Sequence, residues 1–215
     1  MQVLTITAVS KSFKHHQVLK DINLTINEGE FVSITGQNGS GKTVLMDCIA
    51  GLIEPDAGSI RFWNNQPISH PIREKIGFVN TTTRLFEYLT PLENIQAYNE
   101  IYNQKNNQPL LRQLFTQFGM GEYLTDTKTT MDKLSSGQNV KIHLIKALMI
   151  KPKLLLLDEP TAYLDKKSKL HILSILKRYK KQGGFSCIII SHSQSLLKIC
   201  DRVLTMRNGR LVPYA

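Results

Sequence analysis

Residues 31–43 read Phe31-Val32-Ser33-Ile34-Thr35-Gly36-Gln37-Asn38-Gly39-Ser40-Gly41-Lys42-Thr43. The first five form a short, mostly apolar run of strand length, and residues 43–52 have the apolar spacing of a buried helix. Between them stands the pattern G-x-x-x-x-G-K-[ST], glycine-rich and placed where a strand turns into a helix. A polyphosphate is best held by converging backbone N–H groups, which needs glycines, and by the positive end of a helix. Lys42 would neutralise the outer phosphates, and the Thr43 hydroxyl would reach Mg²⁺.

Upstream of this unit, period-2 patterning at Val3, Thr5, Thr7 and at Ile22, Leu24, Ile26 predicts antiparallel strands, closed by the turn Asn27-Glu28-Gly29. Downstream, Pro55-Asp56-Ala57-Gly58 predicts a turn before a strand over 59–63. The middle third then changes character. Thr90-Pro91-Leu92-Glu93 predicts a helix start with Thr90 as N-cap, Pro91 in the first helical position and Glu93 closing a capping box. Helical patterning continues to about Ile150, interrupted by a polar loop over 105–108. The last third alternates: apolar strand 154–157, amphipathic helix 166–181 capped by Asp165, strand 185–190, short helix 194–199, strand 202–206 and the turn Arg207-Asn208-Gly209. Alternation of this kind around apolar strands implies a parallel sheet covered on both faces, with the middle helices inserted into it.

Composition narrows the class. The 215 residues suit one generous domain with a sizeable core, and the 41% hydrophobic and 20% charged content is that of a soluble globular chain. No apolar run approaches the roughly 18 to 20 residues that span a bilayer. The opening residues have neither a basic n-region nor a small-residue cleavage site, so no signal peptide is predicted. Cys48, Cys187 and Cys200 fit neither a disulfide framework nor a zinc spacing, which makes the cytoplasm the default compartment. The net charge of +10 is concentrated between Lys141 and Lys181, where eleven Lys and Arg face Asp158, Glu159 and Asp165. A solvated basic face and attraction to an anionic membrane leaflet are the leading readings of that run. Nucleic acid is not expected, because no aromatic residues interleave with the basic ones as a stacking platform requires.

A second motif completes the phosphate chemistry. Four leucines, Leu154 to Leu157, run into Asp158-Glu159 and lift two carboxylates to a sheet edge where open α/β folds bind ligands. Asp158 would hold Mg²⁺ through water, and Glu159 would orient or deprotonate an attacking water. Leu134-Ser135-Ser136-Gly137-Gln138 then resembles the LSGGQ signature of the ATP-binding-cassette (ABC) ATPases, and its distance from Asp158-Glu159 is similar to that family's. Thr161-Ala162-Tyr163-Leu164-Asp165 resembles the family's D-loop, and Ser191-His192 its switch histidine, which would contact the γ-phosphate. Phe13 falls where the family places an aromatic residue against adenine; on its own it reads as a core residue.

The resemblance covers essentially the whole chain and implies an α/β phosphate-loop NTPase core with a mostly parallel sheet, an antiparallel β subdomain and an inserted α-helical subdomain. It implies one domain over 1–215, with about 1–80 and 151–215 as core and about 82–150 as the helical part. ATP and Mg²⁺ are the implied cofactors, with Gly36, Gln37, Asn38, Gly39, Ser40, Gly41, Lys42 and Thr43 around the phosphates. Two cassettes, identical or not, would close head to tail on ATP, so that Ser135, Gly137 and Gln138 act on the partner's nucleotide. The implied setting is peripheral, on the inner face of the cell membrane, driving a polytopic membrane-spanning subunit on a separate chain. Small size and residues 94–102 look more similar to exporter-type subunits. The alternative is a non-transport ATPase regulating a membrane-bound complex such as that of cell division. Two departures stand out. Ser136 replaces a signature glycine, which is tolerable unless φ must be positive there. Thr81 stands where the family carries a glutamine touching Mg²⁺ and the attacking water; threonine has the oxygen but lacks the reach, so either Asn80 substitutes, or a water fills the gap, or coupling is weaker.

Overall fold

A computed structural model of the chain describes residues 1–80, 85–101, 107–162 and 164–214. In chain order the elements are β1 (Gln2–Phe13), β2 (His16–Asn27), β3 (Phe31–Thr35), α1 (Lys42–Ala50), β4 (Ala57–Phe62), α2 (His70–Arg73) and β5 (Ile76–Val79). There follow α3 (Pro91–Ile101), α4 (Gln108–Gln117), α5 (Ser136–Met149), β6 (Leu154–Asp158), α6 (Lys166–Gln182), β7 (Ser186–Ile190), α7 (Gln194–Leu197), β8 (Arg202–Arg207) and β9 (Arg210–Pro213).

Two sheets form. β2-β1-β4 is antiparallel throughout, and β5-β6-β7-β3-β8-β9 is parallel except for the β8–β9 hairpin. β5 and β9 escape sequence patterning because each is only four residues long, one containing Gly77 and the other ending on Pro213. The pleat of β1 also differs from expectation. Leu4 and Ile6 enter the core, whereas Thr5 is half-buried and Thr7 exposed. Ala8 adopts φ 51° and the register shifts between Ile6 and Val9, so a bulge switches the strand's phase and carries Val9 inward.

Strand alternation splits the core in two. Leu155, Leu157, Cys187 and Ile189 pack on the face covered by Phe115, Phe118, Ile142 and Ile145 of the helices. Leu154, Leu156, Ile188 and Ile190 pack on the other face, with Leu45, Met46 and Ile49 of α1 and with Leu4, Ile22 and Ile26 of the antiparallel sheet. All four leucines of β6 are fully buried; each contributes about 1.5–3 kcal/mol by leaving water.

β5 and β6 are neighbours in the sheet, yet the chain between them supplies α3, α4 and α5. The start of α3 is the capping box read from the sequence: Glu93 N donates to Thr90 Oγ1 (3.3 Å), and Thr90 N donates to Glu93 Oε2 (2.8 Å). Sequence reading missed Asn94. It is wholly buried and its amide Nδ2 donates to the carbonyls of Phe86, Leu89 and Thr90 at 3.0–3.2 Å, while Oδ1 accepts from Phe86 N at 2.8 Å. One side chain thus ties residues 86–90 to the helix. Asn94→Ala leaves those buried backbone groups unmatched and should destabilise the chain by about 2–4 kcal/mol in urea denaturation. Asn94→Asp should fail to restore it, because a carboxylate cannot donate to three carbonyls.

Candidate functional site

The ends of β3, β6 and β7 face a cleft of about 890 Å³. The loop leaving β3 is shaped by glycines: Gly36, Gly39 and Gly41 have φ of 141°, 77° and 103°. At Gly36 a Cβ would stand 2.4 Å from the Met206 carbonyl oxygen, so no other residue fits there. Lys42, in the first turn of α1, is 8% exposed and donates Nζ hydrogens to the carbonyls of Gly36 (2.7 Å) and Gln37 (2.8 Å). Burial lowers its pKa, against the opposing pull of the Glu159 and Asp158 carboxylates. The Ser40 hydroxyl is buried in the same loop with no hydrogen-bond partner.

Across the cleft, Thr43 Oγ1 donates to Asp158 Oδ2 at 2.8 Å, joining α1 to the end of β6. Burial raises the pKa of Asp158, with the Thr43 bond and the Lys42 charge drawing it back. Glu159 is raised too, first by burial; His192, Asp158 and Lys42 act on it by charge, only Asp158 upward. Its backbone takes φ 49°, the left-handed region that a side chain seldom occupies, and its N–H donates to Ile190 O at 2.9 Å. His192 follows β7 and brings Nε2 to 3.6 Å from Glu159 Oε1. Asn38, Gly39, Gly41, Lys42, Thr43, Asp158, Glu159 and His192 therefore line one cleft. Val18 and Lys169 line it as well. Neither carries a sequence signal: Val18 reads as an ordinary strand residue, and Lys169 is one of many lysines in the basic run.

The other predicted residues lie elsewhere. Ser135, Gly137 and Gln138 form the first turn of α5 and are not among the cleft's lining residues. Ser135 Oγ accepts from Gln138 N (3.2 Å), Ser135 N donates to Gln138 Oε1 (2.9 Å), and Gln138 Nε2 donates to Tyr123 Oη (2.8 Å). Gly137 is needed for close packing, since a Cβ there would meet Ser168 Oγ of α6 at 2.9 Å. Ser136 is a helical residue without positive φ, so the serine in place of glycine brings no backbone strain. Phe13 is 44% exposed near the end of the β1–β2 hairpin, with Lys11 Nζ 5.5 Å from its ring centre, outside the cleft lining. The core reading of Phe13 therefore fails. Asn80 is buried at the end of β5. Thr81 and Tyr163 lie outside the described residues.

The cleft fits a Mg²⁺-bound polyphosphate. It offers a glycine loop and a desolvated ammonium to an anion. Thr43 and Asp158 offer hard oxygen donors. That suits an ion which takes one carboxylate and fills its shell with phosphate oxygens and water.

Comparison with known proteins decides the family. Residues 19–162 match the family model described as ABC transporter. The chain belongs to the ABC transporter family. It is the family's nucleotide-binding cassette. It is 34% identical to the sulfate/thiosulfate import ATP-binding protein of Pseudomonas aeruginosa, over 96% of this chain and 64% of that protein. It is 33% identical to the arginine transport ATP-binding protein of Bacillus subtilis, over 98% of this chain and 90% of that one. A dimeric cassette solved in a post-hydrolysis state with ADP and Pi superposes with a TM-score of 0.85 at 26% identity, covering 97% of this chain and 96% of its own. The chain thus spans less than two thirds of the Pseudomonas relative's length. The exporter-type expectation draws no support from a relative named for import.

Asp158 holds its proton more tightly in the folded cassette than a free aspartate does, so its ionised form costs stability above that raised pKa. Asp158→Asn keeps the bond from Thr43 and removes this cost. The variant should be more stable than the parent by about 1 kcal/mol in thermal melts at pH 7.5. The gap should close as pH falls below the ordinary aspartate range, where the parent carboxyl is protonated in both states.

Proposed function

We propose that the cassette binds and hydrolyses ATP with Mg²⁺ and uses the cycle to drive a separate membrane-spanning subunit. The observation that carries this is the convergence of Lys42, Thr43, Asp158, Glu159 and His192 on one cleft. The phosphate loop, residues 36–43, holds the phosphates through its N–H groups and Lys42. Thr43 and Asp158 hold Mg²⁺, which when bound neutralises charge on the phosphates. Glu159 takes the proton of the attacking water; a carboxylate made more basic by burial suits that task. His192, in reach of Glu159, steadies the γ-phosphate side. Phe13 stacks on adenine from the hairpin end. Thr81, outside the described residues, is proposed near Mg²⁺ only from the family's glutamine at that position in the sequence, with Asn80 or a water making up its shorter reach.

The placement of Ser135, Gly137 and Gln138 outside the cleft favours a composite site. Their helix N-terminus faces the nucleotide of a second cassette, in a homodimer or heterodimer, and the dimeric form of the solved cassette supports this. Residues of about 82–150 act as a helical subdomain moving against the rest of a single domain. No described helix is long and apolar enough to cross a membrane, and the proposed setting is peripheral, on the cytoplasmic face beneath the membrane subunit. That subunit docks near residues 84–102, where Phe86 and Tyr88 are exposed while Leu85 is core. The proposal is a transport motor without the export direction, which the named import relative does not favour.

Glu159→Gln keeps shape and hydrogen bonding and removes the proton acceptor. ATP hydrolysis should fall by about 10²–10⁴-fold while ATP binding persists. With ATP and Mg²⁺ this variant should elute as a dimer in size-exclusion chromatography, and adding Ser135→Arg should return it to monomer. A Glu159→Gln chain that hydrolyses at the parent rate would sink the assignment. Phe13→Ala should weaken ATP and GTP alike by about 1–3 kcal/mol in equilibrium binding, because stacking reads no base edge.

A further inference from the structure

An open groove of about 480 Å³ runs between α4 and α6, and none of its lining residues belongs to the nucleotide cleft. Arg112, Thr116 and Gln117 of α4 line one side, and Arg178, Tyr179 and Gln182 of α6 the other. Gln117 joins the two walls: its carbonyl oxygen meets His171 Nε2 at 3.2 Å, and its Oε1 accepts from Tyr179 Oη at 3.5 Å. The Gln117 Nε2 is buried and has no partner.

The charge in this groove has one sign. No Asp or Glu lines it, and neither α4 nor α6 contains one over its whole length. Arg112 is the sole charged residue of α4, whereas α6 carries six lysines besides Arg178. Lys180 is answered by Asp201 at 2.6 Å. Arg112 and Arg178 are exposed, and among the described residues neither makes a hydrogen bond or an ion pair. The Arg178 charge instead acts on the Tyr179 hydroxyl. Glutamine and threonine oxygens in the walls accept hydrogen bonds but neutralise nothing. Two planar guanidinium forks on facing helices suit an anion that offers oxygens to both at once. A carboxylate has two oxygens in one plane and matches a single fork; a tetrahedral phosphate has enough oxygens for both.

We infer that the α4–α6 groove is a second anion site, which binds a phosphate group between Arg112 and Arg178, with the Thr116 hydroxyl and the Gln182 amide as further donors. The phosphate is that of a free anion or of a lipid headgroup, since the same forks recognise either. Because α4 belongs to the inserted helices and α6 to the core, an occupant bonded to both restrains one against the other. It binds the folded chain alone and therefore stabilises it.

The test uses the full chain with its nucleotide cleft filled by a non-hydrolysable ATP analogue and Mg²⁺, so that the phosphate loop cannot take the probe. Inorganic phosphate, titrated and followed by ³¹P line broadening, should bind saturably and raise the thermal midpoint, and equimolar acetate should not displace it. Arg112→Gln and Arg178→Gln should each weaken this binding by about 10-fold or more, the loss of one charge-assisted contact. ATP hydrolysis by both variants should match the parent, because neither side chain lines the nucleotide cleft. Co-sedimentation with phosphatidylcholine vesicles containing phosphatidic acid separates the sources. Vesicle binding that both variants lose assigns the phosphate to a lipid headgroup, and binding of free phosphate without vesicle binding assigns it to a soluble anion. If the parent binds neither free phosphate nor these vesicles, or if both variants bind them as the parent does, the inference is overturned.

Discussion

Ile190 of β7 pairs in parallel register with Ile34 of β3 on one side and with Asp158 of β6 on the other. This ladder of backbone hydrogen bonds, made by strands whose residues are almost all buried, brings three strand ends level. Everything polar in the cleft is reached from those ends: the phosphate loop from β3, the two carboxylates from β6 and the histidine from β7. Parallel strands can share an edge this way only if helices return the chain across the sheet, and α1 and α6 do so on opposite faces. The apolar character of these strands is therefore a condition of the chemistry, since sliding one by a residue would turn its core side chains over and displace a functional group.

Within the cleft, burial is the first cause of each resolved shift: Lys42 is pushed toward neutrality, and so are Asp158 and Glu159. Their mutual attraction only partly offsets this. Lys42 spends its hydrogen bonds on its own loop. An ammonium held in this way is poised for a charged ligand with many acceptor oxygens.

What the sequence disclosed depended on how local the physics was. Residues 36–43 and the Asp158-Glu159 pair are legible because a loop that exposes N–H groups and a strand that ends in acids are written in consecutive residues. The capping box at Thr90 is legible for the same reason. The pleat of β1 was misread because the bulge at Ala8 turns on pairing with β2, which no single strand announces. Asn94 and Lys169 had no signal at all. Each acquires meaning only from neighbours distant in the chain or from carbonyls that the fold brings to it. Ser136, read as tolerable unless a positive φ were needed, stands on ordinary helical backbone.

The left-handed backbone of Glu159 works against the stability of the turn that carries it. An L-residue at φ 49° is strained by its own Cβ, and a half-buried carboxylate is strained by desolvation. Glycine would relieve both at once. On folding stability alone glycine is the better residue at this turn, so the acid stands here at the expense of the fold.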